Sequence, residues 1–367
     1  MSGRVSRFLF IGPDHGSAVG GREQLSQLHQ HALRDLLGKL LDTLLLPRLS
    51  LSGRTALNAV FSGRIDGTDR AAERKILAHI AARDIGHVWL DGSNLGAIAR
   101  AVRRQFPKVR VTTFFHNVEA RFFVGALRAR PGLRAVGILA ANFAAERMAV
   151  HASTQCVALN RRDSDLMRRL YGRGADHLLP MAIPADAIDE TAPAPISGDY
   201  LLFVGGGFYA NQAGILWYAR HVASALSMPT LIVGRGLEAL GPALGDAANI
   251  RLVGEVDALG PYYRHAKAVV APIFDGSGMK TKVAEALMHG KHVIGTREAF
   301  TGYAEFGVGQ RCDTRAAFIA AIKSCVASPP AAFDPRLRAL YEAHFSPQAL
   351  RRGMEAILAR RTETIGS

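Results

Sequence analysis

The residues with the clearest chemistry are Lys280, Lys282 and Glu285, which sit in and just after the run Gly276-Ser277-Gly278-Met279-Lys280-Thr281. Glycines let a backbone approach a ligand closely, and the free N–H groups at a helix start point at an anion. Two lysines beside such donors suit a diphosphate. A carboxylate about one turn further on, Glu285, suits the hydroxyls of a ribose. The bland account of the same residues is a crossover loop with solvated lysines and a glutamate that merely favours the helix start. A second candidate is His116 in His116-Asn117-Val118-Glu119, whose imidazole titrates near neutral pH and can bond a sugar or phosphate oxygen. Against it stands a structural or solvated histidine. A third is the pair Gly20-Gly21, which opens a helical pattern and reads equally as a surface loop.

These residues need strands and helices to hold them. Ala268-Val269-Val270-Ala271-Pro272 reads as a buried strand, and Val283, Ala286 and Leu287 continue a helical pattern after the glycines. Gly290 and the run Lys291 to Thr296 then supply the next strand, so the unit closes as strand, helix, strand. In the first half, strands are expected at Phe8–Gly12, His87–Leu90, Val109–Phe115, Gln155–Asn160 and Leu178–Met181. Helices are expected over 22–40, 71–83, 95–106, 142–151 and 161–171. Pro184, Pro193 and Pro195 mark a linker. Beyond it, strands at 200–204, 231–234 and 250–254 precede the one at 268–272, with helices near 212–226, 258–266 and 314–327. Strands alternating with helices indicate open parallel sheets, which bind ligands at the carboxyl ends of their strands. Gly205-Gly206-Gly207 lacks the third spaced glycine and the later acid of a dinucleotide site, and reads as a tight turn. Two such domains imply a cleft between them.

The chain of 367 residues is 49% hydrophobic and 21% charged, with a net charge of +14. That charge points to an anionic partner, although arginine-rich coding produces the same excess. Between Arg100 and Arg134 the only acid is Glu119. Arg103, Arg104, Arg121 and Phe122 are therefore candidates for an acceptor-side or membrane-side surface, with a solvated helical face as the alternative. The three cysteines, Cys156, Cys312 and Cys325, have no metal-ligand spacing and fit a reducing compartment. Met1 to Arg7 runs straight into a strand, and the apolar run 135–145 is too short to span a bilayer. A cytoplasmic location is expected, including the inner face of the cell membrane.

The run from Gly276 through Glu285-Ala286-Leu287, with Gly290 and Val293-Ile294-Gly295-Thr296, resembles the nucleotide-sugar signature of retaining glycosyltransferases of the GT-B fold, family 4. His116-Asn117-Val118-Glu119 and Gly20-Gly21 are similar to its amino-domain motifs. The specific match covers about 30 residues, the architecture nearly the whole chain. The resemblance implies an α/β fold of GT-B type, two Rossmann-like doubly wound domains facing a central cleft. Its parts would be an acceptor-side domain at 1–183, a linker at 184–199, a nucleotide-sugar domain at 200–345, and a last helix at 346–367 that crosses back and is capped by Ser346-Pro347. Glu285 would hold the donor ribose. Gly278, Met279 and Lys280 would lie along the diphosphate and sugar, with Ser277 and Thr281 beside them. Gly20 and Gly21 would face the phosphates, and Gly206 and Gly207 would belong to the donor-binding surface. His116 would contact the donor sugar near the reacting carbon.

Two departures stand out. The family's first motif glutamate falls on Ser277, with Asp275 two residues earlier. The arginine and lysine expected after the first strand of the second domain are replaced by Gly206 and Gly207, which leaves Lys280 or Lys282 to hold the diphosphate. The implied activity is transfer of a sugar from a nucleoside diphosphate sugar to a saccharide or lipid-linked saccharide, with retention, in surface polysaccharide synthesis. His116, Lys280 and Lys282 are the expected catalytic residues. No metal, separate cofactor or nucleic acid is implied. The rivals are a nucleotide-sugar epimerase of the same shape, a nucleic-acid binder motivated by charge alone, and a degenerate transferase-like subunit suggested by Ser277.

Overall fold

The computed structural model describes residues 6–14, 16, 20–47, 62–65, 67–185, 191, 193–244 and 249–359. The chain divides into two compact units, Met1–Met181 with Pro347–Ser367, and Ala182–Ser346.

The first unit is built on six strands: β1 Arg7–Pro13, β2 Leu41–Leu46, β3 Ile85–Leu90, β4 Arg110–Phe115, β5 Gln155–Ala158 and β6 His177–Leu178. They pair in parallel in the order β2-β1-β3-β4-β5-β6. Side chains alternate across a strand, so each face of the sheet gathers its own set. The helices of this unit begin with α1 Gly21–Leu37, α2 Arg70–Arg83 and α3 Gly96–Gln105. Val88, Leu90 and Val111 pack with Ile76 and Ile80 of α2 and with Ile98 and Val102 of α3. Trp89 and Phe114 instead meet His29 of α1. The next helices are α4 Glu119–Ala129, α5 Leu133–Ala152 and α6 Arg161–Tyr171.

Several elements differ from the sequence reading, each for a local reason. The first helix stops at Leu37, where Gly38 takes a φ of +53°. The chain then enters β2, a leucine-rich edge strand with a half-exposed face, hidden in sequence because little but Thr43 favours a strand. Its Asp42 is held by Arg7, by His79 at 2.9 Å and by Arg83 at 3.2 Å. Helix α5 starts at Leu133, well before the expected 142, and α4 is a separate helix within the basic stretch that the sequence pattern does not divide.

The second unit carries β7 Leu201–Val204, β8 Thr230–Val233, β9 Ile250–Gly254, β10 Ala268–Ala271, β11 Val293–Gly295 and β12 Gln310–Arg311. These six strands are again parallel, in the order β12-β11-β10-β7-β8-β9. The helices that matter for the site are α7 Tyr209–His221, α8 Gly260–His265 and α9 Thr281–Met288. The expected linker begins inside this unit: Ile183 donates its N–H to Phe345 O at 3.0 Å and accepts from Tyr341 Oη at 3.1 Å. The last helix, Pro347–Ala359, packs on α1 of the first unit. Ser346 directs its hydroxyl back to Glu342 O at 2.8 Å.

Both sheets grow first to one side of their initial strand and then to the other. The reversal falls between β1 and β3 in the first, and between β7 and β10 in the second. Loops at the carboxyl ends of those strands diverge and leave a crevice for a ligand. The segments singled out from sequence follow β4, β7 and β10.

In the first unit, α3 and α5 touch backbone to backbone at Gly96, where an added Cβ would lie 1.9 Å from Ala145 O and 2.6 Å from Ala149 N. Gly96→Ala is expected to lower the stability of this unit by about 2–4 kcal/mol. Chemical denaturation followed by Trp89 fluorescence in a variant lacking Trp217 checks it.

Candidate functional site

In the second unit the loop after β10 turns at Gly276 and Gly278, with φ of +134° and +64°, conformations a side chain would strain. Asp275 is engaged in that turn: its Oδ1 accepts from Gly276 N at 2.7 Å, and its Oδ2 from Tyr209 Oη at 3.3 Å. Met279 is buried, and Ser277 and Thr281 are half-buried. Helix α9 then starts with no side chain capping its first turn. A helix start without such a cap has its positive dipole end open to an anion, although the Val283 N–H already bonds Lys280 O at 3.1 Å.

The two lysines differ sharply. Lys280 Nζ donates to Gly278 O at 3.0 Å and Ser277 O at 3.3 Å, and pairs with Glu298 Oε1 at 3.0 Å. Tyr303 Oη donates to Lys280 O at 2.9 Å. Lys280 therefore clamps the glycine loop, and its charge is already met. Lys282 is buried, with Nζ 2.8 Å from Asn211 Oδ1 and 4.2 Å from the centre of the Phe203 ring. Among the described residues no carboxylate pairs with it. Burial pushes its pKa down to about 7; Glu285 draws it partly back and Lys280 adds to the fall.

Asn211 stands in the first turn of α7, so the Lys282 contact ties together the starts of α7 and α9 at the strand reversal. The glycine triplet completes the place. Asn211 Nδ2 and Gln212 Nε2 donate to Gly206 O at 2.8 Å and Gly207 O at 3.0 Å. A Cβ on Gly205 would sit 3.1 Å from Lys282 Nζ, and one on Gly207 would sit 2.4 Å from Gly236 O. Gly206 and Gly207 are exposed. Glu285, one turn along α9, accepts from Tyr263 Oη at 2.7 Å. Burial and the nearby Glu285 hold the Tyr263 hydroxyl well above its usual pKa, so it remains a donor that orients the carboxylate.

In the first unit His116 lies beyond β4 and is joined by two residues that sequence reasoning missed. Asp91, at the end of β3, accepts from His29 Nδ1 at 2.6 Å and His116 Nε2 at 3.2 Å. All three are buried, and one ligand-type atom from each lies within 4.8 Å of the others, a spacing that a metal ion can also bridge. The two hydrogen bonds account for the group as a proton-linked triad. Burial opposes the charge on Asp91, but His116 and His29 outweigh it and hold the carboxyl well below its usual range. Burial lowers the pKa of His116; Asp91 opposes this, while Arg22 and His29 add to the fall. A neutral His116 that donates a hydrogen bond from Nε2–H to Asp91 keeps a lone pair on Nδ1, which makes no hydrogen bond among the described residues. That acceptor atom is itself buried, so a substrate hydroxyl meets it only where the covering side chains give way.

Arg22 links the neighbouring loops, from Glu119 Oε1 at 3.1 Å to Asn94 Oδ1 at 3.4 Å. Gly20 caps α1 in extended conformation, with Glu23 so near that a Cβ on Gly20 would lie 2.5 Å from its Oε2. Gly21 is the first residue of that helix. Arg103 and Arg104 end α3, where positive charge suits the helix carboxyl end, and Arg103 Nη1 donates to Pro107 O at 2.6 Å. Arg121 and Phe122 lie half-buried in the first turn of α4. Glu146 holds that helix start by accepting from the N–H of Glu119 at 2.9 Å and Ala120 at 3.0 Å. The four expected surface residues therefore belong to two different helix ends.

Of the residues missed, Asp91 had a usable signal, since it follows a buried strand at the ligand-facing end. His29, Asn211, Tyr263 and Glu298 had none, because each gains its place only through contacts distant in sequence.

Two doubly wound parallel units, with glycine loops at the strand reversals, define the GT-B fold of glycosyltransferases. Residues 198–328, most of the second unit, match the family described as glycosyl transferases group 1. The resemblance carried by the sequence motif thus holds. Sucrose-phosphate synthase from Thermosynechococcus elongatus has a TM-score of 0.72 at 17% identity, over 97% of this chain and 99% of that one. HepE of Anabaena, solved in complex with UDP-glucose, gives 0.64 at 11% identity over 96% and 99%. The lipopolysaccharide outer core galactosyltransferase WaaB, in its apo form, gives 0.64 at 12% identity over 96% and 99%. No curated protein matches the chain in sequence.

The triad makes a titration testable by NMR of the imidazole protons. His116 is expected to gain its proton below pH 6.5, the ordinary value for histidine, and Asp91→Asn should lower that point further by removing the group that favours the charge. A His116 that stays charged above about pH 7 contradicts the neutral-acceptor assignment.

Proposed function

We propose that the protein is a glycosyltransferase that takes a sugar from a nucleoside diphosphate sugar and retains its anomeric configuration. The observation that carries this reading is the buried ammonium of Lys282, held between the uncapped starts of α7 and α9 and unpaired with any carboxylate among the described residues. A buried cation in such surroundings calls for an anion, and two helix starts add their partial positive charge. A diphosphate answers both. Glu285, oriented by Tyr263, would then accept from the ribose hydroxyls, and Lys280 would keep the glycine loop in shape rather than touch phosphate. HepE, a protein of the same fold, was crystallised with UDP-glucose, which supports a donor of this class.

In the proposed mechanism the bond between the anomeric carbon and the diphosphate oxygen breaks as the acceptor oxygen approaches the same face. The departing phosphate takes the acceptor proton, and Lys282 with the helix starts stabilises the growing negative charge. His116 would accept a hydrogen bond from a substrate hydroxyl through Nδ1. With that positive charge in place no metal or separate cofactor is required. We assign the acceptor to the saccharides and lipid-linked saccharides of surface polysaccharide synthesis at the cytoplasmic side of the cell membrane, as the motif resemblance suggests.

Thermal unfolding with a panel of nucleoside diphosphates and their sugars tests the reading. One nucleotide series at a hundredfold its dissociation constant should stabilise the protein by about 2.7 kcal/mol. Glu285→Ala should abolish most of that gain, and a metal chelator should not. Absence of stabilisation by every nucleotide would contradict the proposal.

A further inference from the structure

The α4–α5 hairpin ends in a tip that no packing explains. From Arg128 to Ile138 no residue is buried, although α5 further along packs Ala141, Ala145, Ala149 and Val150 into the unit. Leu133 is 92% exposed, Val136 49% and Ile138 38%, and Phe143 continues the apolar surface along the same helix. Isolated apolar side chains on a surface are ordinary, but a leucine so fully exposed one turn before an exposed valine on the same side of the helix is a patch, with Ile138 exposed on the other side. Arg128, Arg130 and Arg134 are exposed around it. No acidic residue occurs from Ala120 to Ala145. The flanking acids, Glu119 and Glu146, are buried and engaged with Arg22 and with the start of α4.

We infer that this tip, residues 128–138, is a docking element for an anionic membrane surface, with Leu133 and Val136 seated among the lipid acyl chains and Arg128, Arg130 and Arg134 on the headgroups. Charge complementarity selects the partner: the exposed groups are cationic and apolar, the composition of helices that lie in a bilayer interface. A nucleic acid would call for aromatic stacking groups, and the tip has none. A projecting tip buries little area against a rigid protein, whereas lipids close around it. Among the described residues no helix is long and apolar enough to cross a membrane, so the tip rests on the surface. The inference is independent of the donor site, and membrane binding requires no nucleotide.

The test is sedimentation of the full chain with vesicles of phosphatidylcholine alone or mixed with phosphatidylglycerol, without nucleotide. Binding is expected to the mixed vesicles and to weaken with salt. At about 1 kcal/mol for each arginine, replacing all three with alanine should weaken it about a hundredfold. Leu133→Glu with Val136→Glu should abolish it while the unfolding temperature stays unchanged. Leu133→Trp should show a blue-shifted emission on these vesicles. Equal binding to neutral vesicles, or no sedimentation with anionic ones, would overturn the inference. So would association that appears only with an oligonucleotide or a protein partner.

Discussion

The ammonium of Lys282 is the group around which the second unit is arranged. An unpaired charge in a protein interior costs several kcal/mol unless something answers it, and here the answer is incomplete. Asn211 offers one amide oxygen and Phe203 one aromatic face. Glu285 acts on it through space without pairing. The neighbouring elements keep that arrangement from relaxing. The Gly205–Gly207 turn is pressed against Gly234 and Gly236, and Lys280 is fixed to its own loop and to Glu298. The result is a site whose lysine is held back from its full charge until an anion arrives to answer it.

The first unit solves a different electrostatic problem. Asp91 is a fully buried carboxylate that survives as a charge because two imidazoles donate to it. Its effect on His116 is to fix which nitrogen carries the proton. An imidazole held this way is an acceptor with a set direction, and His29 helps hold the carboxylate from the other side. Both units therefore use burial to preset a polar atom, an amine ready to take a proton in one and a lone pair in the other.

How far the sequence reveals this depends on where each residue's partners lie. Buried parallel strands such as β4 and β10 are legible because short, wholly apolar runs leave few alternatives, and the glycine loop is legible because its residues are contiguous. Edge strand β2 is not, since its leucines suit a helix equally and only pairing with β1 decides the matter. The same limit applies to the site. Lys280 and Lys282 look alike in sequence, two residues apart, and their different roles arise from Glu298 and Asn211, 18 and 71 positions away. Asp91 is within reach of the strand-end rule, but His29, which shares it with His116, is not.

The most direct test of the Lys282 account is calorimetry of nucleoside diphosphate binding at about pH 8 in buffers of different ionisation enthalpy, which counts the protons exchanged. Lys282, with a pKa of about 7 in the free protein, is mostly neutral at that pH and must take up a proton to meet a diphosphate. The account predicts uptake of close to one proton per nucleotide bound, as linkage requires, and none in Lys282→Met. Binding to the wild-type protein with no proton uptake would contradict it.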